Sequence, residues 1–373
     1  MNKELVPVVV GALFLCLIVG GIGALTKEPR AIVITSQDAG VTTSEGTTNN
    51  APTAPTRPPL DIAAYDAGLL QIANLATVTH TVVIKGTSTT PSSTITTTTS
   101  APKGWPVKAA YPLGGALLPF DRIVAYYGNL YSTKMGVLGE YPPAEMLQML
   151  ASTTAAWQAA DPTTTAIPAL DYIAVAAQGL PGSDGKYRAR MPADQIDEIV
   201  QMAGQMHGIV FLDLQVGLSN VETEVPLFAS FLKLPQVNLA LDPEFAMHDG
   251  ARPGTVIGSL DAADINFAAN YLANLVRENN LPPKILVVHR FTQSMVTNYQ
   301  EIAPLPEVQI VMDMDGFGSP AEKESTYQSF IQSEPVQFTG FKLFYRNDVA
   351  AGHLMTPAEV LSSSPQPSYI QYQ

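Results

Sequence analysis

Three apolar runs in this chain each end in polar groups two residues apart. FLDLQ delivers Asp213 and Gln215, LALDPEF delivers Asp242 and Glu244, and IVMDMD delivers Asp313 and Asp315. A fourth run, KILVVH, ends in His289. Residues i and i+2 of an extended strand project to one side, so each pair can address the same space. Crowded carboxylates raise one another's proton affinity, an arrangement that selection for stability alone should avoid. Two chemistries fit. Glycoside hydrolysis needs one protonated and one ionised carboxyl; Glu244 is the candidate acid, with Asp242 raising its proton affinity and Asp213 or Asp313 as nucleophile, base or electrostatic partner. Tyr126, Gln215, His289, Asp313, Asp315, Lys342 and Tyr345 are candidate substrate-binding residues, and Tyr127, Tyr172 and Phe245 are further aromatics near strand ends. Metal-assisted hydrolysis of a phosphodiester or ester is the alternative, since Asp213, Asp242, Asp313, Asp315 and His289 form an oxygen-rich set suited to Mg, Ca or Mn. No resident cofactor is expected, a divalent metal remaining possible. DMDGFG lacks most ligand positions of a calcium loop, and the five histidines lack the spacing of a zinc protease. The plainest alternative makes these acids ordinary helix caps and loop hydrogen-bonders, on a non-catalytic surface domain that binds polysaccharide or protein.

What elements would bring these groups together? From residue 122 onward, short β-branched runs alternate with longer amphipathic stretches, the pattern of βα units and a parallel sheet. Strands are predicted at 122–129, 165–175, 208–217, 237–245, 284–291, 308–318, 338–347 and 367–373. Between most of them lie helical stretches that open on Pro, Ser or Thr with acids in the first turn, such as PPAEM, SPAEK and TPAEV. Ser259 is the expected N-cap of the helix through 260–279. Eight such units in about 250 residues match a (β/α)8 barrel of the TIM type, whose chemistry sits at the C-terminal ends of the strands. A doubly wound open sheet is the rival, but no Gly-rich phosphate loop follows the first strand.

The N-terminal third reads differently. Leu5 to Leu25 carries no charge and is long enough to span a membrane. Ile22-Gly23-Ala24 is a poor cleavage site, and Leu15 precedes Cys16 where a lipoprotein signal calls for a small residue. The expected organisation is a transmembrane signal anchor over 1–30, a Thr/Ser/Pro-rich stalk over 31–104 with a short strand near 78–86, and the barrel over 105–373. A stalk of this composition cannot bury enough apolar surface to order itself and is typical of exported chains. The expected location is therefore the cell membrane, single-pass, with the barrel outside the cell. A formal charge of −13, from 33 acids against 20 bases, argues against nucleic acid as a partner; a neutral glycan and, through residues 5–25, the membrane are the expected ones. Cys16 is the one cysteine, so no internal disulfide is possible.

GVLGE (136–140), FLDLQ (211–215), LALDPEF (239–245), IGSLDAADIN (257–266), LPPKILVVH (281–289) and MDGFGSPAEK (314–323) together resemble a family of uncharacterised exported or lipoprotein-type bacterial barrels, mostly actinobacterial. The resemblance covers about 120 to the end and implies export more than a mechanism. The Asp-x-Glu of LALDPEF is also similar to the fourth-strand motif of muramidase and chitinase-type barrels, which implies a glycoside-hydrolase-like site. The chain departs from the muramidases in lacking an acid at the end of its first strand, YYGN, and from the chitinases in lacking their upstream acids.

Overall fold

The computed structural model describes residues 57–73 and 102–373. The expected membrane segment 5–25, most of the stalk and the strand near 78–86 lie outside these residues. Among the described residues no helix is long and apolar enough to cross a membrane.

Eight parallel strands close on themselves in chain order: β1 (Asp121–Gly128), β2 (Thr165–Ala177), β3 (Ile209–Leu214), β4 (Val237–Leu241), β5 (Lys284–Arg290), β6 (Val308–Met314), β7 (Phe338–Leu343) and β8 (Tyr369–Tyr372). β1 pairs with β2 through Asp121–Gly128 and with β8 through Ile123–Tyr126. An open sheet would leave an edge at β1 or β8, and none exists here, so the doubly wound alternative is overturned and the TIM-type barrel stands. All eight predicted strands are present. Their apolar runs are nearly continuous because each strand is covered on both faces.

Alternation along the strands makes two cores. Val124, Tyr126, Leu170, Leu212, Leu239, Val288, Met312 and Phe341 point outward and pack under the helices. Ile123, Ala125, Ala169, Phe211, Ala240, Val287, Val311, Phe338 and Tyr369 fill the barrel interior toward its N-terminal end. That end is sealed by Leu118 and by a helix, α1 (Ile62–Ile72), whose Tyr65 and Ile72 are buried in the interior cluster. Residues 62–72, which fall inside the expected stalk, are thus a helix packed on the barrel floor. The apolar positions of IAAYDAGLLQI are what the barrel floor buries, and Asp61 caps the helix through the Ala64 N–H at 3.0 Å.

The outer helices follow their local signals. In α2 (Pro143–Ala160) the buried residues Met146, Leu150, Thr154 and Trp157 recur at helical spacing, and the Trp157 indole donates to Tyr372 Oη at 2.9 Å. α3 (Ala193–Gln205) buries Ile196, Ile199 and Met202. α4 (Ala262–Asn279) starts two residues later than Ser259 predicts. Leu260–Asp261 pairs with Val296–Thr297 as a two-residue parallel ladder, so Asp261 becomes the N-cap, in a capping box with Asp264. α5 (Pro320–Tyr327) opens on the Ser319/Glu322 capping box that SPAE announces. Between β5 and β6 no α-helix intervenes; short 3-10 turns flank the Val296–Thr297 strand of that ladder.

Candidate active site

At the C-terminal end of the barrel the inward-facing positions turn from apolar to polar. β2 supplies Asp171, β3 Asp213 and then Gln215, β5 His289, β6 Asp313 and then Asp315, β7 Lys342 and β8 Gln371. Asp171, Asp213, His289, Asp313 and Gln371 have no exposure at all. Tyr127 enters from β1, its neighbour Tyr126 being turned the other way by the two-residue period.

His289 sits at the centre of a carboxylate ring. Its Nδ1 is 2.9 Å from Asp313 Oδ2 and 3.7 Å from Asp315 Oδ2, and its Nε2 faces Asp213 Oδ2 at 3.4 Å. The Asp213 contact is an ion pair rather than an aligned hydrogen bond, since Nε2 has no hydrogen-bond partner. Burial alone would lower the affinity of the imidazole for its second proton, but the nearby carboxylates of Asp213, Asp313 and Asp315 outweigh it and push the pKa well above the usual histidine value. His289 thus contacts three acids at once. Lys342 Nζ pairs with Asp315 Oδ1 at 3.0 Å and lies 4.0 Å from the Tyr127 ring centre, a cation–π contact. Burial works against its charge, and Asp315, Asp242 and Asp313 more than restore it.

Gln215 joins the other half of the site. It donates to Tyr127 Oη at 3.0 Å and to Asp242 Oδ2 at 3.3 Å, and accepts from the Ala177 N–H at 3.0 Å. Asp242 is pushed well above the carboxylate range by burial, then by Asp213 and Glu244, with His289 opposing. Glu244 does not continue the strand. β4 ends at Leu241 and Pro243–Phe245 forms a 3-10 turn, so the two-apart rule applies to Asp213 with Gln215 and to Asp313 with Asp315 but not to Asp242 with Glu244. The turn is held by the Gly258 N–H, which donates to the Glu244 carbonyl at 2.7 Å; a Cβ on Gly258 would stand 2.5 Å from the Ala246 carbonyl oxygen and 2.6 Å from that of Pro243. Glu244 remains half-buried at the rim. Burial first, then Asp315, raises its pKa to about 7, against the pull of Lys342 and His289.

A deeper layer lies below these groups. Asp171 accepts from Tyr369 Oη and from Gln371 Nε2 at 2.7 Å; burial and the Asp213 charge push it up to about 7. Asp171 is visible in the sequence as an acid within a strand, whereas Gln371 carries no signal beyond its inward parity in YIQYQ. Gly340 makes room for this layer: a Cβ there would lie 2.5 Å from Asp313 Oδ1.

Of the sequence-predicted residues, the fold therefore brings together Glu244, Asp242, Asp213, Gln215, His289, Asp313, Asp315 and Lys342. It does not bring Tyr126 and Tyr345 to them. Tyr126 Oη bonds Thr153 Oγ1 at 2.8 Å and Tyr345 Oη at 2.9 Å on the outer wall, beside two adjoining shallow clefts of about 500 and 400 Å3 that share Ser152, Thr153 and Tyr345. Among the described residues no three of His, Cys, Asp and Glu are placed to hold a metal ion. Both carboxylate oxygens of Asp213, Oδ1 of Asp171, Asp242 and Asp313, and Oε1 of Gln371 nevertheless have no hydrogen-bond partner. A proton or a water must meet them, and the raised proton affinities of Asp171, Asp242 and Asp313 supply part of that need.

No protein-family model and no curated protein matches the chain. Solved structures of similar fold include the HPPK-DHPS protein of Plasmodium falciparum with pteroate (11% identity, 68% of this chain and 44% of that one, TM-score 0.34). Two others are a ruminal GH26 endo-β-1,4-mannanase (12%, 68% and 59%, TM-score 0.33) and the Bacillus subtilis mannanase BCman (11%, 68% and 80%, TM-score 0.33). The chain spans about half the length of the first two. At this level the likeness is one of barrel fold alone.

Proposed function

We propose that the barrel is a glycoside hydrolase with Glu244 as the general acid and Asp315 as the carboxylate that faces it. The observation that carries this reading is the contrast at the rim. Glu244 is half-buried with its pKa raised to about 7, so it keeps a proton near neutrality, while Asp315, whose charge adds to that rise, is salt-bridged to Lys342. A carboxyl that keeps its proton near neutrality, within reach of the charge of a second, lysine-paired carboxyl, fits the pair that glycosidic cleavage requires. Asp213 and Asp242 lie below them, with 0% and 3% exposure, and act through His289 and Gln215 to hold the charge pattern of the pair. The substrate class is a cell-envelope or environmental glycan, whose neutral rings suit a mouth rich in carboxylates. The uncharged segment 5–25 and the Thr/Ser-rich tracts support a barrel tethered outside the cell.

A polysaccharide panel with reducing-end detection tests the reading. Glu244→Gln is expected to lower kcat about 10²–10⁴-fold, the usual worth of a positioned acid, and Asp315→Asn at least as much. Unchanged turnover in Glu244→Gln would leave the mouth without its acid and end the proposal.

A further inference from the structure

The loop after β6, which carries Asp315, and the end of β7, which carries Lys342, are held by one buried ion pair outside the carboxylate ring. Lys323, on α5, donates from Nζ to the Gly316 carbonyl at 2.7 Å and to the Lys342 carbonyl at 2.7 Å, and pairs with Asp348 Oδ2 at 3.0 Å. Asp348 in turn accepts from the Gly318 N–H through Oδ1 at 3.0 Å and from the Phe344 N–H through Oδ2 at 2.9 Å. The lysine thus bonds the residue that follows Asp315 and the residue Lys342 itself. The aspartate bonds each segment two residues further on. Phe341 and Phe344 stand 5.3 and 5.1 Å from the ammonium. Neither side chain of the pair has any exposure.

A pair this deep gives up most of the hydration of both ions, and apolar side chains of similar volume often serve stability as well. Its distinctive feature is where the remaining hydrogen bonds go: four backbone groups, two on the loop after β6 and two at the C-terminal end of β7 and just past it. We propose that Lys323 and Asp348 are positioning residues, which lock the loop after β6 against the C-terminal end of β7 in the one relative placement that sets the Asp315–Lys342 pair at the rim with Glu244. Their consequence for turnover rests on the glycosidase reading; their effect on the rim geometry does not.

The test reads the rim directly. Asp315, Lys342 and His289 all act on the charge of the Glu244 carboxyl, so its titration, followed by 13C NMR, reports whether the Asp315 and Lys342 charges are in place. Lys323→Met alone leaves Asp348 buried and unpaired. The double variant Lys323→Met/Asp348→Asn removes both charges at nearly equal volume, and Asp348→Asn alone keeps an acceptor for Gly318 and serves as the second variant. In the folded variants the Glu244 midpoint is expected to fall by about one pH unit toward its ordinary value as Asp315 moves off. With an active glycan substrate, kcat drops about tenfold or more while KM changes little, as for misplaced groups that do not touch substrate. Folded variants that lower Tm yet keep the wild-type Glu244 titration would overturn the proposal and leave the pair purely structural. A shifted Glu244 midpoint in a protein that cleaves no glycan would support the positioning role while removing the glycosidase reading.

Discussion

Glu244→Gln should make the protein more stable above neutral pH while removing its activity. Glu244 titrates at about 7 in the folded protein against an ordinary 4.5. Between those values the folded chain holds a proton that the unfolded chain has released. Stability from this residue is therefore fully present below pH 4.5 and is lost as the pH rises through 7. Each tenfold change in proton affinity is worth about 1.4 kcal/mol, so the loss levels off at roughly 3 kcal/mol. The attraction of Lys342 and His289 is already contained in that net value, because both oppose the shift. Glutamine keeps the shape without the charge. The variant should match the wild type near pH 4 and exceed it by roughly 3 kcal/mol near pH 8.5. Urea unfolding at both pH values, followed by the fluorescence of the two tryptophans Trp105 and Trp157, both buried in this unit, measures the difference. A stability difference that does not change with pH, or a variant that is less stable at pH 8.5, would refute the reasoning and place Glu244 in solvent.

Gly340→Ala should place a methyl group 2.5 Å from Asp313 Oδ1 and 3.0 Å from the Tyr369 ring, forcing Asp313 off His289. It is expected to cost about 1–3 kcal/mol and to lower the His289 proton affinity seen by NMR; unchanged values for both would show that the layer is not tightly packed. Tyr65→Ala, on the helix that closes the barrel floor, should cost about 3 kcal/mol or more in thermal or urea unfolding. A loss under about 1 kcal/mol would mean that this helix is not part of the barrel core.

Much of the barrel is written locally. Strands such as KILVVH and VQIVMD are apolar on both faces because each is covered on both faces, and SPAE and TPAE announce helix starts through capping boxes that need only four residues. The acids at the strand ends were legible for the same reason, as polar groups closing apolar runs. Local rules failed where a long-range contact took over. Ser259 lost the cap to Asp261 because residues 260–261 pair with 296–297, distant in sequence. Residues 62–72 read as part of a stalk because their apolar positions find their partners only in the barrel floor. The Asp-x-Glu pair lost its common face once β4 ended at Leu241.

The sequence by itself determined eight strands, their order and the acids at their ends, since these depend on side-chain period and on capping within a few residues. Only the tertiary structure decided that β1 and β8 join, that Tyr127 rather than Tyr126 enters the site, and that His289 binds three acids at once. It also decided that Glu244, alone among the candidate catalytic carboxyls, stays near solvent. Those outcomes depend on closure, parity and depth, which are distances between residues far apart in the chain, and no local pattern of residues encodes them.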